Sequence, residues 1–567
     1  MQFRNVGKIP LPANHKRGFM KFREKFSSVI IILLGIMFGC FTGILAVFAA
    51  FYTNKYPADY VEGFVDTFKD NPFINILVLF LVVGISFGLA MLFRKFPLKE
   101  KTLELLAVII SGLLFILLLI WVYKCKCAPV CDQLQLIYDA VFFKHGNFED
   151  MNGYLRTFPQ QFGLVFLEEI CMHIKEDYRP LQYLNAFFVS AGIYASYRIA
   201  KEMFKNSTAA FMSLLFSALF APIYFYANFV YGEVPSIAFS LYGIWLLLLF
   251  LRKKKIVYAV FSVLLLSLAY VARTNVIILL IALCLSLLVH GIREKKISAF
   301  ILAPVVLILP LLCNAGIKKS YEIRSGITLA DPQPALAWIA MGMMQSDQGY
   351  GFCNDYANNT FNTIANYDAA LAKDIYREYI SERTNEFKAD PSSAKTFYRM
   401  KLIQQWNEGT FSSIVNTNAF ENDTTGVTIR KIYSAELGDY VTEYCNRYIF
   451  VVYALFFAYA VLLILHHVRL FLRNRKNQDS GQENTVFATR DPDDAGKTEF
   501  AVMDYFYIIY FIGGFLFSLL WEAKPRYVFP YVYICLPLAA VGLYRITTFL
   551  TTWISRLLHD NKRNGDR

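Results

Sequence analysis

The chain has 567 residues and a formal net charge of +12, and 56% of its residues are hydrophobic while only 18% are charged. Soluble domains carry about 25% charged residues, so this composition excludes an ordinary soluble domain and indicates a polytopic membrane protein. The basic residues concentrate in loops between apolar runs, which is the pattern of a membrane protein and does not indicate nucleic acid as a partner.

Apolar runs recur from the N-terminal region to the C-terminal region. A membrane-crossing helix needs about 20 mostly apolar residues. The sequence therefore predicts an all-α bundle of about 12 transmembrane helices in a lipid bilayer. The predicted spans are 28–51, 72–93, 102–123, 180–200, 208–228, 234–251, 256–272, 275–291, 297–316, 447–467, 501–521 and 528–549.

Every second loop is basic, which orients these spans because Lys and Arg concentrate on the cytoplasmic side. The loop between the first two spans is instead acidic. We predict a multi-pass protein of the cell membrane with both termini in the cytoplasm and an uncleaved first span. The basic positions include Arg4, Lys8, Arg94, Lys95, Arg198, Lys201, Arg252 to Lys255, Arg293, Lys295, Arg469 and Arg473; the acidic ones are Asp59, Glu62, Asp66 and Asp70.

Two large segments, 124–179 and 317–446, then lie outside the cytoplasm. The second is long enough for a small domain, and the helical spacing of apolar residues from Tyr367 to Phe387 predicts a mainly helical one. The polar segment 477–499 is typical of a flexible loop. We predict four regions: 1–101 with two extra helices, 102–316 as the transmembrane core, 317–446 as the extracytoplasmic domain, and 447–567 with the last helices and a cytoplasmic tail.

The cysteines follow this division. Six of them fall in the segments predicted to lie outside, where oxidation occurs. A disulfide between Cys353 and Cys445 is one expectation. The spacing C-x-C-x3-C at 125–131 leaves a metal site open as an alternative to disulfides or thiols, although no matching group of ligands lies nearby in the sequence.

Acidic residues are frequent in the segment 124–179, which contains Asp132, Asp139, Glu149 and Asp150. An apolar run follows at 158–174, and its Glu168 and Glu169 favour a helix in the membrane interface over a full span. Two readings stay open from the residues alone. The acids are either ordinary groups of a solvated loop or catalytic groups held at the level of the lipid headgroups.

Several short motifs occur in the order found in one superfamily. The pattern Pro129-x-x-Asp132-Gln-x4-Tyr138-x-Ala140, followed by Gly146-Asn147, resembles the first outer loop of GT-C glycosyltransferases, in the branch of protein O-mannosyltransferases and bacterial lipid A aminoarabinose transferases. Phe158-Pro-Gln-Gln161 departs from the Pro-Pro motif of many members. Further similar motifs are Leu184-Asn-Ala186, Tyr197-Arg-Ile-Ala-Lys-Glu-Met-Phe204, Tyr231-Gly-Glu-Val-Pro235, Ala272-Arg-Thr-Asn275 and Glu522-Ala-Lys-Pro-Arg-Tyr-Val-Phe-Pro530.

The resemblance implies a GT-C-like transmembrane bundle. It also implies an inverting glycosyltransferase that takes a sugar from a polyprenyl-phosphate donor and transfers it to a cell-envelope acceptor outside the cytoplasm. Such transfer needs a base for the acceptor hydroxyl, and a carboxylate suits this task. We assign Asp132 as the base and Asp139, seven residues further along the same helix, as its helper. The resemblance gives Glu233 a role in positioning the acceptor or a metal; no cofactor is assigned, and a divalent metal stays open.

The leaving lipid phosphate needs cationic partners in a low-dielectric setting. Lys and Arg concentrate on the cytoplasmic side of membrane proteins, so those predicted at the extracytoplasmic ends of spans are candidates for this role. The predicted donor-phosphate-binding residues are Arg526, Lys524, Arg273, Arg156 and Arg179, and His173 is a further candidate. Two other functions compete with this one: a ligase that transfers a whole lipid-linked glycan, and a flippase or transporter of a lipid-linked saccharide.

Overall fold

The computed structural model of the chain describes residues 13–56, 65–419, 428–433, 435–479 and 501–565. The start of the basic N-terminal arm, with Arg4 and Lys8, lies outside these residues, as do Asp59 and Glu62 and most of the predicted flexible loop 477–499.

The described residues form twenty α-helices. Several begin at side-chain caps, which satisfy backbone N–H groups that the first helical turn leaves without partners. Asn71, Asn206, Asp368 and Asp390 act in this way. The helices are α1 Ala13–Phe51, α2 Pro72–Lys95, α3 Glu100–Cys125, α4 Asp132–Lys144, α5 Tyr154–Thr157, α6 Phe162–Ile174, α7 Arg179–Phe204, α8 Ser207–Ala218, α9 Pro222–Phe225, α10 Glu233–Lys253, α11 Ile256–Ala272, α12 Ile277–Glu294, α13 Ile297–Ser325, α14 Leu336–Gly342, α15 Tyr356–Asn359, α16 Ala369–Ala389, α17 Pro391–Trp406, α18 Ala435–Asp479, α19 Ala501–Leu520 and α20 Pro525–Gly565.

Extended structure in the described residues is limited to two small antiparallel pairs. Strands β1 Tyr52–Lys55 and β2 Asp66–Lys69 connect α1 to α2, with Tyr52 opposite Lys69. Strands β3 Gln345–Ser346 and β4 Gly349–Tyr350 form a turn after α14. The fold is therefore all-α, as the sequence predicted.

Eight helices within the described residues are long and apolar enough to cross a membrane. Each matches one of the twelve predicted spans, so the multi-pass prediction is confirmed. The pair α8 and α9 adds a ninth if it is taken as one span bent by 57°. The eight segments are Val29–Phe51, Pro72–Phe93, Glu100–Cys125, Glu233–Lys253, Thr274–Glu294, Ile297–Ser325, Leu437–Arg469 and Pro525–Ile554.

The three other predicted spans are also helices, but they differ in length or polarity. Helix α11 is a short apolar helix, and α19 runs from Ala501 to Leu520 and is apolar over Tyr505–Leu520, where its side chains are described. Helix α7 is 26 residues long but contains buried polar residues, including Gln182 and Asn185. Their amides donate to backbone carbonyls, Gln182 to Asn228 and Asn185 to Phe229, both at 2.9 Å. A helix of this kind is stabilised by neighbouring protein and not by lipid.

Helix α1 packs closely along α18 through a row of glycines spaced four residues apart. An added Cβ would lie 3.1 Å from Ile464 at Gly35, 3.3 Å from Ala460 at Gly39 and 3.2 Å from Phe457 at Gly43. Small residues at this spacing let two membrane helices approach closely and gain dispersion contacts. The first helix of the chain is therefore fastened to one of the last.

The two large segments between spans meet at the same end of the bundle. The Ala128 amide donates to the Ala419 carbonyl at 2.9 Å, and Gln133 donates to the Asn416 carbonyl at 3.3 Å. The helices α14 to α17, which we call the inserted helices, lie in the second segment. The helix predicted from the spacing between Tyr367 and Phe387 is confirmed as α16.

The expected disulfide between Cys353 and Cys445 is wrong. All ten cysteines lie in the described residues, and none of them forms a disulfide bond. Cys445 is buried in α18 where the backbone of Gly409 packs against it, whereas Cys353 packs with the cluster around Trp338 and Tyr376. The sequence predicts only that both cysteines lie on the same side of the membrane. It does not show which hydrophobic cluster each thiol packs against.

The glycine row gives a testable prediction. Gly39→Leu places a side chain where even a Cβ is 3.3 Å from Ala460, so we expect α1 and α18 to separate and the protein to lose about 1–3 kcal/mol. The matched control is Gly84→Leu on α2, where an added Cβ meets nothing within 4 Å. Thermal unfolding in detergent measures both, and equal unfolding temperatures for the two variants would contradict the prediction.

Candidate functional site

The predicted base stands at the first position of α4. Asp132 follows Cys131, whose φ of 50° turns the chain into the helix. A carboxylate in the first helical turn is favoured by the N-terminal end of the helix dipole. The Tyr231 hydroxyl donates to Asp132 Oδ2 at 3.2 Å, and Gln161 Nε2 donates to the Tyr231 oxygen at 2.5 Å. The carboxylate therefore has a fixed orientation.

Two tyrosines surround this carboxylate, and both stay protonated. Burial and then the charge of Asp132 raise the pKa of Tyr154 above its ordinary value. Burial and the same charge raise the pKa of Tyr231 as well. Because neither phenol ionises near neutral pH, both can donate hydrogen bonds to the carboxylate but cannot replace it as a base.

Arg526, the first of the predicted phosphate-binding residues, lies against Tyr231. Arg526, at the start of α20, is only 4% exposed. Its guanidinium lies 4.9 Å from the centre of the Tyr231 ring, 5.6 Å from that of Tyr527 and 5.9 Å from that of Phe229. Stacking on aromatic faces holds the cation in place and keeps water away from it. The structure thus brings Asp132 and Arg526 to one shared partner, Tyr231.

Glu233 and Arg273 form a buried ion pair beside this group. Glu233 is fully buried as the first residue of α10, and its Oε1 lies 2.5 Å from Nη1 of Arg273. Gly232 makes this approach feasible: its φ is +82°, and a Cβ there would lie 2.4 Å from the carbonyl oxygen of Ala272. Arg273 also lies 5.7 Å from the Tyr527 ring, which therefore contacts both arginines.

Arg273 lines a pocket between α10, the turn at 273–276, α19 and α20. The pocket combines one cation with hydroxyl and aromatic groups. The Ser240 and Tyr531 hydroxyls are buried and make no hydrogen bond within the described residues. Lining side chains are Ser236, Ile237, Ser240, Arg273, Asn275, Val276, Tyr510, Tyr527, Pro530, Tyr531 and Ile534. This combination suits a ligand that carries an anionic group and an apolar chain.

Lys524 is two residues before Arg526, in the link between α19 and α20. Its ammonium lies 3.6 Å from the carboxylate of Glu522, which is buried. Lys524 therefore balances a buried negative charge at the edge of the group formed by Asp132, Tyr231 and Arg526.

The structure does not bring the other predicted cations to this group. Arg156 donates to the carbonyls of Asp331 and Tyr367 at 3.0 and 2.8 Å, so it joins the segment 124–179 to the second large segment. Arg179 pairs with Asp177 at 2.7 Å, and His173 lies 3.9 Å from Glu169. Their role in donor binding stays a prediction.

Asp139 belongs to a separate, buried group of acids. Gln135 donates to Asp139 at 3.0 Å and to Asp150 at 2.9 Å. Burial first, and then the hydrogen bond and charge of Asp150, raise the pKa of Asp139 from 3.8 to about 8. Burial and the charge of Asp139 raise the pKa of Glu168 on the facing helix α6. At neutral pH Asp139 is therefore protonated. It could assist Asp132 as a hydrogen-bond donor and not as a second base.

Sequence reasoning missed Tyr231, Tyr527, Tyr154 and Gln161. Tyr231 and Tyr527 lie inside the motifs Tyr231-Gly-Glu-Val-Pro235 and Glu522-Ala-Lys-Pro-Arg-Tyr-Val-Phe-Pro530, so their positions next to a predicted site residue were an available signal. Gln161 lies in the Phe158-Pro-Gln-Gln161 stretch that departs from the family pattern. Gln161 donates a hydrogen bond to Tyr231, so this residue of the departing stretch helps to hold the tyrosine beside Asp132.

The part of the chain that the structure describes holds no cluster of three or more potential metal ligands. The C-x-C-x3-C stretch lies within the described residues and forms no such group of His, Cys, Asp or Glu side chains. Glu233, the candidate for holding a metal, is instead engaged by Arg273.

Residues 165–315 match the family described as dolichyl-phosphate-mannose-protein mannosyltransferase, which belongs to the GT-C superfamily. This confirms the resemblance inferred from the motifs. The matched region runs from α6 to α13 and includes Glu233 and Arg273, while Asp132 and Arg526 lie outside it. No curated protein matches the chain significantly.

The acid group predicts a pH-dependent stability. Between about pH 4 and pH 8 the folded state keeps a proton on Asp139 that the unfolded state has released, so stability falls as pH rises through this window. Asp139→Asn removes this dependence. Thermal unfolding in detergent from pH 5 to 8.5 should give a smaller slope for the variant than for the wild type. The control is Glu149→Gln, an exposed acid of the same segment; a wild-type slope in Asp139→Asn would refute the assignment.

The buried ion pair predicts strong coupling. Glu233→Gln leaves the Arg273 cation buried without its counter-charge, and we expect a loss of about 3–5 kcal/mol. The double variant Glu233→Gln with Arg273→Gln should lose less than the sum of the two single losses. Thermal unfolding of all four proteins measures the coupling, and additive losses would show that the two groups do not stabilise each other.

Proposed function

We propose that this glycosyltransferase of the GT-C type transfers a sugar from a polyprenyl-phosphate donor to a hydroxyl of a cell-envelope acceptor, with inversion at the anomeric carbon. Asp132 is the general base, and Arg526 together with Arg273 receives the leaving phosphate. The observation that carries this proposal is the shared partner Tyr231, which holds the carboxylate of Asp132 through its hydroxyl and the guanidinium of Arg526 against its ring.

The reaction needs a base and a cation at a common centre. Asp132 takes the proton of the acceptor hydroxyl while the acceptor oxygen bonds to the anomeric carbon. The bond from that carbon to the donor phosphate breaks, and the phosphate oxygen keeps the electron pair. A single displacement of this kind inverts the anomeric centre. The base and the cation contribute at the same moment because one takes the proton and the other stabilises the charge that appears on the leaving group.

Two arginines near one aromatic ring support phosphate as the leaving group. Arg526 and Arg273 lie 5.6 and 5.7 Å from the Tyr527 ring. Arg273 already has a counter-charge in Glu233. Arg526 is 4% exposed, and a cation in such a position interacts strongly with an anion because water is excluded. A guanidinium also matches the oxygens of a phosphate through paired hydrogen bonds.

The pocket beside Arg273 supports a lipid-linked donor. It lies between helices that are long and apolar enough to cross a membrane, among them α10 and α20. The Ser240 and Tyr531 hydroxyls lie in the same lining as Arg273 and suit polar atoms near the phosphate, while the rest of the lining is largely aromatic and aliphatic.

The alternating basic loops support an extracytoplasmic reaction, because they put the segment 124–179 on the side opposite the termini. The contacts between this segment and the second large segment agree with a shared side. A lipid-linked sugar is the donor that such a compartment requires, since soluble nucleotide-sugars are made in the cytoplasm.

Two variants separate the roles of base and cation. Asp132→Asn keeps size and hydrogen bonding but cannot take the proton, so turnover should fall by about 10²- to 10⁴-fold while donor binding is retained. Arg526→Ala should mainly weaken donor binding because the phosphate loses a charge-assisted contact. The measurements are transfer of labelled sugar from polyprenyl-phosphate sugars, mannose among them, and binding of polyprenyl phosphate by the purified protein.

Matched controls come from the same regions. Glu149→Gln changes an exposed acid of the segment 124–179, and Arg377→Ala changes an exposed arginine that pairs only with Asp374 in the described residues. Both should behave as wild type. Near-normal transfer by a folded Asp132→Asn protein would show that its carboxylate is structural. Transfer of a whole glycan with no transfer of single sugars would favour the ligase.

A further inference from the structure

A buried lysine outside the proposed chemistry contacts the chain segment that leads to Arg526. Lys401 lies on α17, one of the inserted helices, and is 0% exposed. Its ammonium donates to three carbonyl oxygens: Gly342 at 2.6 Å, Leu519 at 3.0 Å and Trp521 at 2.7 Å. Three acceptors use all three N–H bonds of a protonated amine, so the charged form fits this position completely.

One of these carbonyls, that of Leu519, lies in the last turn of α19, and that of Trp521 directly follows the helix. The last four carbonyls of a helix have no partner within the helix, and the helix dipole makes this end negative. Lys401 supplies the missing donor and the complementary charge from a part of the chain more than a hundred residues away. The end of α19 is therefore capped by an inserted helix.

The link from α19 to α20 is held along its length by neighbours of Lys401. The Ala523 amide donates to the Gly351 carbonyl at 2.7 Å, where Phe352 and Ala523 form a parallel bridge. Trp338 stacks on Trp521 with ring centres 5.7 Å apart and an angle of 2° between the planes.

Two further contacts complete this attachment. Gln405 donates to the Lys524 carbonyl at 3.5 Å. At Gly342 even a Cβ would lie 2.4 Å from the Leu520 carbonyl, which shows how closely α14 approaches the link. The link leads directly into Pro525 and Arg526, so the inserted helices determine where α20 begins.

We infer that Lys401 is a positioning residue for the donor site: by fixing the link between α19 and α20, it places the Arg526 guanidinium to receive the donor phosphate. This inference rests on the proposed function. Under this inference the inserted helices contribute to the reaction, because they position the Arg526 guanidinium. Lys401 itself contacts neither substrate nor reacting atoms.

The titration of Lys401 supplies an independent measurement. Burial lowers the pKa of Lys401 to about 7, and the negative charge of Glu522 opposes this shift. Glu522 is the charged group that faces Lys401 from the link, and it is in turn 3.6 Å from Lys524. Above neutral pH a neutral amine keeps two N–H bonds for three carbonyls. The link should then loosen.

The test compares Lys401→Met with the rescue variant Lys401→Arg and with Lys373→Met, an exposed lysine on α16. Lys401→Met should raise the KM for the donor and the Kd for polyprenyl phosphate by about tenfold to hundredfold, with kcat changed much less. Lys401→Arg should recover most of the affinity, and Lys373→Met should equal the wild type. A fall in kcat at unchanged KM and Kd would overturn the inference.

A second measurement uses the wild type and so does not depend on recovery of a folded Lys401→Met protein. The Kd for polyprenyl phosphate should rise as pH increases from 6 to 9 and rise less in Lys401→Arg, whose charge persists; equal slopes would overturn the inference. Failure of the proposed function has a different signature, because Arg526→Ala would then leave polyprenyl phosphate binding unchanged. Loss of binding in Arg526→Ala with wild-type binding in Lys401→Met would refute the role of Lys401 alone.

Discussion

The contact on which the candidate site depends is the one that Tyr231 makes on two sides at once. Its hydroxyl holds Asp132 and its ring lies under Arg526, while the side chain itself is buried. A phenol is suited to this place because it carries a polar end and an aromatic face on a rigid frame with few rotamers. One rigid side chain thus contacts both the carboxylate and the guanidinium.

This arrangement also balances charge before any substrate binds. Asp132 and Glu233 carry two negative charges, and Arg273 and Arg526 carry two positive ones in the same neighbourhood. A lipid phosphate would add negative charge, and a proton moved to Asp132 would remove some of it. Since charges in a water-poor site interact over several ångströms, the proton transfer and the departure of the phosphate favour each other.

The sequence predicts the class of fold well because hydropathy and charge are properties of each segment. The sequence predicted twelve spans, whereas eight helices in the described residues are long and apolar enough to cross a membrane. Helix α7 shows the reason for the difference: Gln182 and Asn185 are satisfied by backbone carbonyls of the segments around Cys127 and Phe229, and such partners are invisible in a linear pattern.

The residues of the candidate site could also be predicted only in part from the sequence. Motif order pointed to Asp132, Glu233, Arg273 and Arg526, and the structure places these four in one neighbourhood. Burial and pairing decide the remaining cases, and neither can be read from residue type. Asp139 resembles Asp132 in sequence but is protonated by burial beside Asp150. Lys401 looks like an ordinary lysine of a polar helix, and only tertiary structure shows its three carbonyl partners.

The glycine row of α1 has a consequence for biosynthesis. Its partner α18 begins only after most of the chain has been made. Until then, the face of α1 that carries Gly35, Gly39 and Gly43 is exposed to lipid or to helices of other proteins, since small-residue faces associate in membranes without regard to their origin. An unfinished chain therefore exposes a helix-packing surface that α18 covers in the finished protein.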